Sequence, residues 1–264
     1  IQIAKTGGPS VMKLKTIDLP KPKKGEVTVR HTAIGFNFID INHRTGRYPL
    51  EMPTGIGSEA AGVIEAVGRG VTDLKVGQRV VYIGAVGTYS EAQNVSANIC
   101  VPIPRDITDE LAAATHLKGM TTEMLVERVG NVKKGDVVLM HSASGGVGLL
   151  LCQWAKARGA TVIGTASSAL KCKEITRAGA KHAIDTSKKD VAKEVAKITK
   201  GQGVDVVFDP VGKDTYETSL ACLKDRGLLA SFGGASGPVP DVNLNEFRYM
   251  ARAWRLTRAS LFNY

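Results

Sequence analysis

The chain has 264 residues, 43% apolar and 23% charged, with 29 glycines and 10 prolines; this composition fits a globular protein with a large buried core, as one domain or, favoured at this length, two. No run reaches the roughly 18 consecutive apolar residues that a bilayer crossing needs, and no charged n-region with an apolar h-region opens the chain, so membrane-spanning and signal-peptide-secreted readings are excluded, with a leader lost ahead of Ile1 left open. The net charge of +10 is uneven: residues 1–120 carry 14 basic and 11 acidic side chains against 21 and 14 in the rest, an excess that suits nucleic acid, an anionic membrane surface or a polyanionic cofactor.

The first half reads as short strands punctuated by glycine. After the turn Lys24-Gly25, Val27, Val29 and His31 alternate with Thr28 and Arg30; 62–68 and 77–82 follow at the spacing of a small antiparallel barrel or sandwich. This half is expected to be all-β with loops. Asp109 to Val129 supplies the helices that join it to a second domain beginning near residue 121, giving domains 1–120 and 121–264. There the rhythm changes. Strands are expected at 136–140, 161–165, 182–184, 204–208, 228–232 and 255–261. Helices are expected at 149–158 (ended by Gly159), 170–178, 189–200 and 215–222. Strict alternation of this kind predicts a parallel, doubly wound α/β sheet.

Between the first strand and first helix of that series lies Ala143-Ser144-Gly145-Gly146-Val147-Gly148, the dinucleotide fingerprint with Ala in its first place. Its glycines permit a tight turn, let the backbone approach a pyrophosphate and pack the helix on the sheet, while the helix N-terminus offers free N–H groups. An NAD site usually places a carboxylate at the end of the second strand for the ribose 2′-hydroxyl. Here that strand runs into Thr165-Ala166-Ser167-Ser168, followed by Lys171 and Lys173, which suits the 2′-phosphate of NADPH. The other reading of the two lysines is a solvated helix face.

The segments 135–139 and 141–148, with Gln153 and Lys156, resemble the quinone oxidoreductase signature of the zeta-crystallin branch of the medium-chain dehydrogenases/reductases. Segments 35–40, 44–46, 57–62, 117–121, 209–212 and 231–233 resemble the same family in the same order, so the resemblance spans the whole chain. It implies a GroES-like β-rich catalytic domain joined to a Rossmann domain, a homodimer through an edge strand, and NADPH as cofactor. It also implies cofactor contacts at Asn37, Thr121, Gly145, Gly146, Val147, Ser167, Lys171 and Phe232, to which the fingerprint adds Ala143 and Gly148. Asn42 and Thr186 stand where some relatives carry aromatics near the nicotinamide and the adenosine phosphate, so those two contacts do not transfer. The resemblance further implies ~60 residues beyond Tyr264, so a C-terminal segment is expected to be missing.

In alcohol dehydrogenases of the same superfamily a Cys and a His hold catalytic zinc at the places of Asn37 and Ser58, which are not competent zinc ligands. Cys100, Cys152, Cys172 and Cys222 form no CxxC pair, so neither a zinc lobe nor a disulfide framework is expected, and a reducing, cytoplasmic setting is. His43, His116 and His141 make no metal cluster by spacing. Without a Lewis acid, alcohol oxidation is poorly served, whereas a quinone or conjugated enone is already electrophilic. Asn37 is a candidate to polarise an acceptor carbonyl through its amide N–H, or a structural loop residue. Tyr48 is a candidate to stack on the acceptor or donate a proton, or a packing aromatic. The leading expectation is a metal-free NADPH:quinone oxidoreductase acting on a small-molecule acceptor. The alternatives are an NADPH-dependent enone or enal reductase and, from Arg248, Arg252, Arg255 and Arg258, an RNA-binding protein like some zeta-crystallin relatives.

Overall fold

The computed structural model describes residues 1–242 and 252–264. The chain divides into two compact units, Ile1–Leu117 and Lys118–Tyr264. In the first, strands β1 (Gln2–Ile3) and β3 (Thr54–Gly55) pair with each other. Strands β2 (Glu26–Gly35), β4 (Glu59–Val67), β5 (Arg79–Ile83), β6 (Ala92–Ser96) and β7 (Cys100–Pro102) form an antiparallel sheet in the order β6-β2-β4-β5-β7. Period-2 burial drives it: Val27, Val29, Ala60, Ile64, Val80, Tyr82 and Val95 pack into one core. The longest strands exceed those expected, since β4 already begins at Glu59, where a polar pair, Ser58-Glu59, hides the apolar pattern.

The expectation of an all-β first half is corrected by helix α1 (Phe38–Thr45). Its start is written as a cap: Asn37 is the N-cap, and its backbone N–H donates to Asp40 Oδ2 at 3.0 Å in a capping box. Its stop is Gly46, in the left-handed region at φ +81°.

The second unit is a six-stranded, wholly parallel sheet. Its strands are β8 (Val137–Met140), β9 (Thr161–Ala166), β10 (His182–Asp185), β11 (Val204–Asp209), β12 (Leu223–Ser231) and β13 (Arg255–Arg258), in the order β10-β9-β8-β11-β12-β13. Alternate residues face two cores. Val138, Met140, Val162, Val206 and Phe208 meet helices α3 (Gly146–Ala157) and α4 (Ala169–Arg177); Leu139, Ile163, Val207 and Leu229 meet α5 (Val191–Ile198) and α6 (Tyr216–Cys222). Each such side chain, fully buried, contributes roughly 1.5–3 kcal/mol. Sheet order and two-sided coverage are those of a Rossmann fold, as expected.

In this unit three element boundaries differ from expectation by three residues or more. Helix α3 begins at Gly146 rather than Leu149, because glycines of low helix propensity occupy its first turn for reasons of packing. Strand β12 starts at Leu223, directly after α6, and a register shift between Val204 and Val206 absorbs the extra residues. Strand β13 ends at Arg258, and Leu261–Asn263 is a short 3-10 turn. Helix α2 (Asp109–Glu123) passes from the first unit into the second and continues as a π-helical segment, Met124–Val129. Among the described residues no helix is long and apolar enough to cross a membrane.

Candidate active site

In the second unit the glycine loop leaves the carboxyl end of β8 and enters α3. Ala143 is fully buried, its N–H donating to the Thr165 carbonyl at 2.9 Å, while Gly145 and Gly146 are exposed at the helix start. A Cβ on Gly148 would lie 2.5–2.6 Å from three backbone atoms of Ala143, so only glycine lets the helix seat against the loop. A Cβ on Gly145 would meet only the Ser142 carbonyl, at 3.3 Å, on its open side. The first N–H groups of the 12-residue helix α3, Gly146 and Val147 among them, carry the positive end of the helix dipole.

Ser167 follows the end of β9, and Lys171 lies in the first turn of α4, where the N-cap Ser168 accepts its backbone N–H at 3.4 Å. The Lys171 Nζ donates to Ser167 Oγ at 3.4 Å, so the hydroxyl and the cation converge on one exposed spot. No carboxylate occupies Ala166, Ser167 or Ser168. Lys173 is exposed and, among the described residues, shares in no such pair. Phe232, half-buried, follows β12, its N–H donating to the Asp209 carbonyl at 2.9 Å. Ala143–Gly148, Ser167 and Phe232 therefore all follow carboxyl ends of the same parallel sheet, the edge where open α/β sheets bind ligands. Thr121 stands apart from that edge in sequence, on α2. Near it, Lys118 packs its stem over Gly146: a Cβ there would lie 2.6 Å from Lys118 Cδ. The sequence reading assigned no role to Lys118.

Beneath the loop, His141 and Asp209 are nearly fully buried. His141 Nδ1 lies 3.5 Å from Thr165 Oγ1, which also accepts the Ser142 N–H at 3.2 Å. Burial pushes the His141 imidazole below its ordinary value, opposed by the Asp209 charge. Asp209 accepts from the N–H groups of Val211 and Gly212, at 2.8 and 3.1 Å, and from the hydroxyls of Thr215 and Ser219.

In the first unit, Asn37 is 7% exposed and its Nδ2 donates to Glu59 Oε2 at 2.7 Å. Ser58 bonds to the other carboxylate: its Oγ donates to Asp40 Oδ1 at 3.0 Å, and Tyr89 donates to Asp40 Oδ2, also at 3.0 Å. The places where superfamily dehydrogenases hold zinc are thus occupied here by an amide and a hydroxyl tied to two buried carboxylates. Among the described residues no cluster of three or more His, Cys, Asp or Glu side chains could hold a metal ion. Asp40 and Glu59 escaped the sequence reading; the Asn37-to-Asp40 capping spacing was the available signal for the first.

Tyr48 lies beyond the other end of α1 from Asn37. Its backbone N–H donates to the Asn42 carbonyl at 3.1 Å, and its 40%-exposed ring stands edge-on to His43, centroids 6.2 Å apart. Of the two departures from the family pattern, Asn42 is half-buried and Thr186 is exposed, its Oγ1 donating to the Ala166 carbonyl at 3.2 Å. Of the arginine cluster, Arg252 stacks on Trp254 at 5.8 Å and donates to the Leu223 carbonyl, while Arg255 donates to the Arg226 carbonyl. Arg258 reaches Ser231 Oγ at 3.5 Å, and Arg248 lies outside the described residues. The three described arginines thus bond along β12, at Leu223, Arg226 and Ser231.

Residues 23–105 match the alcohol dehydrogenase GroES-like domain, and residues 146–262 the zinc-binding dehydrogenase family. The chain is 47% identical to a quinone oxidoreductase of Pseudomonas aeruginosa, over 100% of itself and 82% of that protein. It is 41% identical to a 2-haloacrylate reductase of a Burkholderia species, over 99% of itself and 81% of the relative. The crystal structure of Escherichia coli quinone oxidoreductase complexed with NADPH superposes with a TM-score of 0.96 at 43% identity, over 100% of this chain and 81% of that one. The chain belongs to the quinone oxidoreductase family of the medium-chain dehydrogenase/reductase superfamily.

Proposed function

We propose that the protein is an NADPH-dependent quinone reductase that works without a metal. The observation that carries this reading is the likeness, along the whole chain, to quinone oxidoreductases, one of them complexed with NADPH. The residues present suit that cofactor. A loop free of Cβ atoms at Gly145 and Gly146 leads into the N–H groups of α3, a fit for a pyrophosphate; Ser167 with Lys171 fits a 2′-phosphate. Ala143, Gly148, Val147, Thr121 and Phe232 complete the proposed contacts, and Lys118 joins them as a cation above the loop.

NADPH, when bound, supplies a hydride; with one proton, this takes a quinone to its hydroquinone. The protein's own part is positioning and polarisation. Asn37, held through its Nδ2 by Glu59, is the proposed polarising group for the acceptor carbonyl and a further cofactor contact. Tyr48, with an exposed ring, is the proposed stacking surface and proton donor. An amide and a hydroxyl in the zinc-ligand places leave an acceptor that is electrophilic without a Lewis acid as the fitting substrate. We read the protein as a cytoplasmic homodimer, with β13, one of the two edge strands of the parallel sheet, as the pairing edge.

A substrate panel tests this. NADPH consumption with quinones, slow or absent with alkenals and haloacrylates, is expected. Turnover of the alkenes without quinones would transfer the protein to the enone reductase reading.

A further inference from the structure

We propose that Glu59 is a positioning residue that fixes the sense of the Asn37 amide and so decides which end of it an acceptor meets; this rests on Asn37 being the polarising group. Glu59 is fully buried at the first position of β4, directly opposite Gly35 of β2 in the sheet register. A buried carboxylate is costly unless its oxygens find donors. Here the donors come from two different elements. Oε1 accepts the backbone N–H of Leu117 in α2 at 2.6 Å, and Oε2 accepts Asn37 Nδ2 at 2.7 Å. Gly35 closes the slot, because a Cβ there would fall within the carboxylate and lie 2.7 Å from the Ala113 carbonyl of α2.

The consequence is directional. An ionised carboxylate accepts and cannot donate, so it holds the nitrogen end of the Asn37 amide, the same sense in which the Asn37 side chain accepts the Asp40 backbone N–H of the capping box. A backbone N–H, for its part, only donates. Glutamine at 59 must therefore give its single oxygen to Leu117, which turns its own NH2 toward Asn37. Two facing donors repel, and the Asn37 amide is driven to reverse, giving up the Asp40 N–H that its side chain accepts in the capping box. The same shape with one atom exchanged thus inverts the polarity of the proposed polarising group, which no packing role for Glu59 would require.

Two measurements on the full chain test this. The first is the side-chain amide NMR signal of Asn37, assigned by its loss in Asn37→Ala. A downfield, slowly exchanging proton is expected in the parent protein, lost in Glu59→Gln and retained in Glu59→Asp. The second is the kinetics of quinone reduction. Glu59→Gln is expected to lower kcat by about 10-fold or more, Glu59→Asp to recover part of it, and Glu59→Gln to add nothing once Asn37 is already Ala. A Glu59→Gln effect on kcat that is equally large in the Asn37→Ala background, or an unaltered Asn37 amide signal, overturns the proposal. If the parent protein reduces no quinone, the reading under test in the previous section fails, and the amide signal alone decides whether Glu59 orients Asn37.

Discussion

Gly148→Ala and Gly145→Ala should separate the architecture of the dinucleotide loop from its binding role. At 148 the new Cβ would sit 2.5 Å from the Ala143 carbonyl oxygen and 2.6 Å from its carbon and Cα, where ordinary contact begins at 3.4 Å. The loop would have to retreat by the difference, close to 0.9 Å, yet Ala143 is pinned by its 2.9 Å bond to the Thr165 carbonyl and has no exposed side to move toward. Overpacking of this kind costs about 1–3 kcal/mol, and at about 2–4 °C per kcal/mol for a domain of this size the melting temperature should fall by roughly 2–12 °C. At 145 the Cβ meets one carbonyl at 3.3 Å and the backbone φ is −73°, so the fold should lose little. The same methyl group, however, stands on the face a pyrophosphate must approach, and NADPH affinity should drop by about 10-fold or more. Differential scanning fluorimetry with and without NADPH reads both effects. A Gly148→Ala variant that melts with the parent, or a Gly145→Ala variant that binds NADPH as tightly as the parent, would refute the reasoning.

Lys171→Met should weaken NADPH by about 10-fold while leaving NADH unchanged in fluorescence titrations, since only the former carries the phosphate that the Ser167–Lys171 pair suits. Equal loss for both cofactors would remove Lys171 from that role. Tyr48→Phe, which keeps the ring and drops the hydroxyl, should leave the quinone KM nearly constant and lower kcat if the phenol donates the proton; an unchanged kcat leaves Tyr48 a stacking surface. A chelator such as phenanthroline should leave quinone reduction unaffected, because Asn37 and Ser58 replace the zinc ligands; inhibition that added zinc reverses would contradict this. Burial holds His31, His43, His116 and His141 below their ordinary values. The unfolded chain binds those protons more readily, so stability is full above about pH 6.5 and declines below it. Urea titrations from pH 8 to 5 should show that fall, shallower in His141→Gln; a rise on acidification would be incompatible with neutral buried imidazoles.

The Rossmann unit was legible because its signals are local. Apolar runs such as Val137–Met140 and Val204–Phe208 are buried on both faces and read as strands without knowledge of their neighbours, and Gly159 ends α3 at φ +84° as its position predicts. The same locality explains the late start read for α3. Gly146 and Gly148 argue against helix by propensity, and only the approach of Ala143 and Lys118 in space reveals why they are there. The first unit hid more. Helix α1 is eight residues long and carries few apolar positions, with Asp40 and His43 as its buried side chains, so hydrophobic periodicity passed it by. Buried polar residues are invisible to a pattern that equates burial with apolar character, which is how Asp40 and Glu59 went unremarked although Asn37 and Ser58, their hydrogen-bond partners, were picked out.

The central claim is that the Rossmann unit serves NADPH and that a quinone takes its hydride. The most direct measurement is single-turnover reduction of a quinone by the purified protein with NADPH and, separately, with NADH, using the 4R and 4S deuterated cofactors to follow the hydride. NADPH-driven formation of one hydroquinone per cofactor, with an isotope effect from a single face and NADH at least about 10-fold poorer, is the predicted result. Equal use of both cofactors, or no quinone reduction with either, would contradict the account.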